Sequence, residues 1–164
     1  MFAISSIDIL VPVSSSLAAC IRRFATYSIG LASSYGKAYI HGAGEAEKIW
    51  TADHDSFLES MAEAASSIMD YKKDKIAFIN VMCNMSVDCD CCAKAEDPCM
   101  NDIGILASLD PVALDQACID LVYNSSDPGK NHLIERIESR NGTHTIDEAE
   151  KLNVGTKKYK LVEF

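Results

Sequence analysis

Basic surface, membrane-length apolar runs and phosphate-binding glycine loops are all missing from this chain. Lys and Arg number 15 against 24 Asp and Glu, a formal charge of −9, so no basic patch is available to neutralise phosphates and nucleic acid is not an expected partner. The apolar opening, residues 1–13, is broken by Asp8 and Pro12, and residues 17–31 carry Arg22 and Arg23. No window therefore reaches the ~20 uncharged apolar residues of a membrane span, and no membrane partner is expected. Gly104 and Gly142 stand in no phosphate-loop pattern, and the four histidines (His41, His54, His132, His144) are scattered singly among polar residues. The N-x-S/T contexts at Asn84, Asn124 and Asn141 are read as chance.

What the chain does have is length, apolar content and cysteine. With 164 residues, 48% of them apolar, it is long enough for one domain with a sizeable core. Its charge is uneven: residues 1–50 hold 3 acidic and 4 basic side chains, leaving 21 and 11 in residues 51–164. Residues 1–50 accordingly read as a weakly determined amino-terminal segment, the remnant of a larger domain, and residues 51–164 as the folded unit. Seven cysteines is a high count, and Cys83, Cys89, Cys91, Cys92 and Cys99 share one short segment. A secreted disulfide scaffold would spread its cysteines and follow a basic n-region and apolar stretch, so the compartment is read as cytoplasmic and reducing. The Ser-rich, Arg-bearing, acid-poor residues 14–36 offer an organelle transit peptide as a minor alternative.

The pattern of elements is clearest after residue 53. Residues 7–13 hold a short apolar run and residues 17–32 suggest a helix. Ser56 with Glu59 reads as a capping box ahead of Phe57, Leu58, Met61, Ala65, Ile68 and Met69 at helical spacing. The continuous apolar run over residues 76–82 predicts a strand covered on both faces, and residues 103–107 a second. Asp110 followed by Pro111 predicts a helix start, with Val112, Leu114, Ala117, Cys118, Leu121 and Val122 as its apolar stripe. A further helix is expected over residues 132–140, a capping box at Thr145 and Glu148, and a strand over residues 158–164. Strands alternating with helices predict a single α/β domain whose partly parallel sheet is flanked by helices, with its site beyond a strand end.

The cysteine segment follows such an end. Ser86-Val87-Asp88-Cys89-Asp90-Cys91-Cys92, with Cys99 seven residues on, mixes soft thiolates with hard carboxylates, and thiolates suit zinc, copper(I) or iron-sulfur clusters. The spacing C-x-C-C-x6-C is neither the paired C-x2-C of zinc ribbons nor the ferredoxin run. In an extended stretch Cys89 and Cys91 project to one side and Asp88 and Asp90 to the other. The candidate metal set is thus Cys89 and Cys91 with Cys83, Cys92 or Cys99, supported by Asp88, Asp90 and Asp102. Cys20 and Cys118 fit core packing instead. Asp110 is a helix cap, Asp120 a solvated residue, and Asp115 a candidate to converge with Asp102 near the cysteine loop.

These residues carry a resemblance. Phe78-Ile79-Asn80, Ser86 through Cys91, Asp102-Ile103-Gly104-Ile105-Leu106-Ala107-Ser108, Asp110-Pro111-Val112-Ala113-Leu114-Asp115-Gln116-Ala117, and Leu152-Asn153-Val154-Gly155-Thr156 with Tyr159 are similar to the carboxy-terminal half of the iron-sulfur-centre proteins of the domain of unknown function 362 family. The resemblance covers roughly residues 53–164. It implies an iron-sulfur cluster or a zinc or iron ion, and carries over by position to Asp88, Cys89, Asp90, Cys91, Asp102, Asp110 and Asp115. Family members commonly hold a ferredoxin-like insert with two C-x2-C-x2-C-x3-C motifs upstream; here residues 1–50 hold only Cys20. The expected function is a metal or iron-sulfur-binding protein of redox type, with residues 83–99 as its site and a redox protein as partner. Whether it is an enzyme is left open. The alternative is a non-enzymatic α/β module, a half-domain that completes its site with a partner chain or as a homo-oligomer.

Overall fold

The computed structural model of the chain describes residues 30–72, 75–88 and 94–163. Over these it is a mixed α/β chain. In order come α1 (Ser34–His41), a short 3-10 turn (Ala46–Lys48), α2 (His54–Lys72), β1 (Phe78–Met82), β2 (Gly104–Ser108), α3 (Pro111–Tyr123), α4 (Lys130–Ser139) and α5 (His144–Lys151). The short apolar run over residues 7–13 lies outside the described residues, as do all but the last few residues of the helix expected over 17–32.

The sheet corrects the expected topology. β1 and β2 pair antiparallel, Phe78 opposite Ser108 and Met82 opposite Gly104, where a partly parallel sheet was expected. The reason lies in the connection. A parallel pair needs a crossover, usually a helix, whereas the polar, cysteine-rich residues between these strands have no helical periodicity and bring the chain straight back. The second correction is at residues 158–163, which form no strand. Their apolar residues Leu161 and Val162 stay substantially exposed, so no burial drives pairing there.

The strands and helices pack around α3. Val112, Leu114, Ala117, Cys118, Ile119 and Val122 are all buried, and so are Pro111, Ala113 and Asp115, so α3 is covered on more than one face. Met82 of β1, Leu106 of β2, Ala62 and Ala65 of α2, Leu133 and Ile137 of α4, and Ile146 and Ala149 of α5 complete this core. Leu121 sits at its edge. A smaller cluster joins Ile40 of α1 to Leu58 and Met61 of α2, so residues ahead of position 50 pack onto the longest helix of the folded unit.

The caps differ in detail from expectation. Asp110 behaves as predicted: its Oδ1 accepts from Val112 N at 2.9 Å and Ala113 N at 3.0 Å, ahead of Pro111 at the first helical position. At α2 the cap is Asp53, not Ser56; Asp53 Oδ2 accepts from Ser56 N and from Ser56 Oγ, both at 3.0 Å. Those bonds hold the Asp53 carboxyl below its usual range. Asp53 precedes Ser56 by the three residues of a cap-to-donor bond, so the true cap stood one turn earlier. Glu59 is left to meet His144 Nε2 at 3.0 Å. At α5 the helix begins at His144, and Thr145, expected as a cap, is a buried interior residue whose Oγ1 has no hydrogen-bond partner among the described residues.

Asp110 has a second duty: its Oδ2 accepts from Thr156 N at 2.9 Å, and its own N–H donates to Ser108 Oγ at 3.0 Å. Replacing Asp110 by Ala removes a helix cap and the bond to Thr156. Urea denaturation is expected to show a loss of about 1–2 kcal/mol, and an unchanged midpoint would contradict the assignment.

Candidate functional site

Antiparallel pairing turns the cysteine segment into a closed loop that leaves β1 and re-enters β2 at the same end of the sheet. The two arms stay paired beyond the strands. Ile103 N donates to Met82 O at 2.9 Å, and Met85 bridges Met100, with Cys99 N donating to Met85 O at 2.9 Å. Between the Met82/Gly104 pair and the Met85/Met100 pair, one arm has two residues and the other three, a bulge. Asn84 turns the shorter arm with φ of 51°, and its N–H is taken by Asp102 Oδ1 at 2.8 Å. Met85, Val87 and Met100 point into the core, which fixes the arms from below.

Further out, a second set of bonds closes the neck. Ser86 Oγ donates to Glu96 O at 2.9 Å and accepts from Asp88 N at 3.2 Å, and Asp88 Oδ2 accepts from Glu96 N at 2.9 Å. Helix α4 lies against this neck: Arg136 comes within 3.9 Å of Asp88 Oδ1, and His132 within 3.8 Å of Glu96. The returning arm is gripped by the turn before α4. Asp127 Oδ2 accepts from Asn101 N at 2.9 Å and Asn101 Nδ2 at 2.7 Å, while its Oδ1 accepts from Gly129 N at 2.8 Å. These donors, Asn101 N first, keep the Asp127 carboxyl below its usual range. Position 129 has to be glycine, because a Cβ there would clash with the carbonyl oxygen of Cys99.

Of the eight candidate metal-site residues, four are described. Cys83 lies partly exposed beside Asp102; partial burial and that carboxylate push its thiol up. Cys99 Sγ donates to Met85 O at 3.3 Å, and burial raises its thiol too. Asp88 and Asp102 spend carboxylate oxygens on the loop's own N–H groups. Cys89, Asp90, Cys91 and Cys92 fall outside the described residues. Among the described residues, no three His, Cys, Asp or Glu side chains come together to hold an ion. The four histidines go to separate partners: Lys37 O, Arg140 O, Glu96 and Glu59.

Asp115 does not meet Asp102. It is buried between α3 and β1, where its Oδ1 accepts from Asn80 Nδ2 at 2.8 Å; the same amide reaches Cys118 Sγ at 3.3 Å. Cys118 is fully buried, as its place on the apolar stripe predicts. Asn80 in an apolar run was the overlooked signal: a lone amide in a buried strand needs a polar partner across the core. Ser86, Glu96 and Asp127 were also missed. Asp127-Pro128-Gly129 carries a turn signature that could have located the clasp.

Asp88→Ala opens the neck without touching the core. Amide exchange at Glu96 is expected to rise about tenfold, the loss of one bond to a charged acceptor, with α3 amides unchanged. Equal exchange in both proteins would mean that Asp88 does not hold the neck.

A family described as Domain of unknown function (DUF362) matches residues 26–120. The matched stretch takes in α1, α2, both strands and the cysteine loop and ends within α3, before Leu152–Thr156. No curated protein and no solved structure matches the chain.

Proposed function

Because the chain belongs to the family described as domain of unknown function (DUF362), with its cysteine loop inside the matched stretch, we propose that residues 83–99 bind a soft metal ion or an iron-sulfur cluster through cysteine thiolates, in a redox role in a reducing compartment. The observation that carries the reading is the 2.9 Å bond from Glu96 N to Asp88 Oδ2 at the neck. It pins the two ends of the short segment that contains Cys89, Cys91 and Cys92. Loop closure is then part of the fold, and bringing thiols to one ion costs less entropy than on a free chain. Metal ligands must be deprotonated. A bound ion itself favours the thiolate, and Cys89 and Cys91 are the first ligands, with Cys83, Cys92 or Cys99 completing the set. Asp88 and Asp102 serve as the frame through their bonds to Glu96 N and Asn84 N, and Asp90 as a carboxylate beside the ligands. Soft thiolates select iron-sulfur, zinc or copper(I) over calcium or magnesium.

A second reading has the site completed by a partner chain, and it is favoured by the exposure of Ile105 and Leu109 beside the buried Leu106. Sedimentation equilibrium showing a monomer at micromolar concentration would remove it.

Protein purified without oxygen is expected to carry iron or zinc in stoichiometric amount by elemental analysis. Cys89→Ser and Cys91→Ser lose the metal and keep the fold. Cys118→Ser keeps the metal and is destabilised by about 1–2 kcal/mol, because a hydroxyl replaces a thiol in the core. Metal retained in both loop variants and lost in Cys118→Ser would reverse the assignment.

A further inference from the structure

After α5, residues 155–160 cross α3 and α5 with no regular secondary structure, and carboxylates on those helices and at the α3 cap receive them. Thr156 N donates to Asp110 Oδ2 at 2.9 Å, and Thr156 Oγ1 to Glu150 Oε1 at 3.2 Å. Lys157 N donates to the same Glu150 oxygen at 2.7 Å, and Lys157 Nζ to Asp147 Oδ1 at 2.6 Å. Tyr159 OH donates to Asp120 Oδ2 at 2.7 Å. The fit is specific, since a Cβ at Gly155 would clash with the Asp110 carboxylate. Asp120, expected as a merely solvated residue, is one of these anchors.

Apolar burial stops just before this segment. Leu152 and Val154 pack against the main core, whereas Tyr159, Leu161 and Val162 are substantially exposed. Residues 152–154 are therefore docked by the core, and residues 155–160 by hydrogen bonds to carboxylates and by the ion pairs of Lys157 with Asp147 and Glu150. A segment held with few buried apolar contacts opens at lower free energy than the body it lies on, and attraction between solvent-exposed charges is screened by salt. We propose that residues 155–160 are a releasable strap, an ionic latch that opens as a unit while α3 and α5 stay folded and bares an acidic face made by Asp110, Asp120, Asp147 and Glu150.

The titration directions agree with this geometry. The Lys157 N–H holds the Glu150 carboxyl below its ordinary 4.5, with Thr156, Lys157 and Lys158 adding to the effect. The stabilisation from Glu150 is present above 4.5 and is lost as pH falls through the lowered value. Asp147, then Glu150, raise Lys157 above 10.5, a contribution present below 10.5 and lost as pH rises through the raised value. Asp120 pushes Tyr159 up to about 12, with its bond holding through the neutral range. At neutral pH all three groups sit inside their stabilising windows, so ionic strength is the lever that opens the strap.

Native-state amide exchange of the full chain, read residue by residue, tests the latch. At low salt the Thr156 and Lys157 amides exchange together and slower than free amides; in ~1 M NaCl, where the screening length is a few ångströms, both speed up about tenfold while α3 amides do not change. Lys157→Met speeds Thr156 exchange several-fold at low salt and flattens the salt response. Gly155→Ala abolishes protection at both amides. The proposal is overturned if the two amides are unprotected at low salt, if their exchange ignores salt, or if they follow the α3 amides under both conditions.

Discussion

Everything at the candidate site depends on the direction in which β2 returns. Antiparallel pairing obliges the connection from Met82 to Gly104 to leave and re-enter at one end of the sheet, so the cysteines lie on a closed loop instead of a crossover. Had the strands been parallel, the same residues would have travelled the length of the sheet. Two layers hold the loop's arms: the Met85/Met100 bridge over the core, and the Ser86, Asp88 and Glu96 bonds above it. The Asp127 clasp and Arg136 then tie the arms to α4. The loop is thereby framed by residues that are not themselves thiolates.

Helix α3 is the part on which the strands and the later helices meet. Its cap residue joins three elements, since Asp110 satisfies the α3 N-terminus, is steadied by Ser108 at the end of β2, and receives Thr156. One turn further on, Asp115 accepts from Asn80 in β1 beneath the sheet. A buried amide-to-carboxylate bond is directional in a way that apolar packing is not, and it fixes the register of α3 against β1. Slipping α3 by one residue would set the Asp115 carboxyl group against apolar side chains, at the cost of a buried polar group without its hydrogen bond.

The sequence was most legible where a single residue type has a single local use. Asp110-Pro111 identified the start of α3, and the apolar run before Cys83 identified β1, because capping and burial act over a few residues. Strand direction was not legible. It depends on the course of the connecting chain, and a continuous apolar run reads the same for parallel and antiparallel neighbours. The cap of α2 was misplaced because Asp53 and Ser56 are both cap formers one turn apart, and only the bond between them decides which is the cap. At the site, the cysteines stood out by type. Their frame did not, since Ser86, Glu96 and Asp127 are ordinary polar residues in the sequence until the fold brings together positions 10 to 26 residues apart.

If the closed loop gathers thiolates around one soft ion, cobalt(II) titrated into the anaerobic full-length chain will report it in the visible and near-ultraviolet spectrum. A thiolate-to-cobalt charge-transfer band is expected to saturate at one equivalent and to disappear in the Cys89→Ser, Cys91→Ser double variant. No such band in the parent chain, or one equally intense in the double variant, would mean that the loop does not hold an ion through these thiolates.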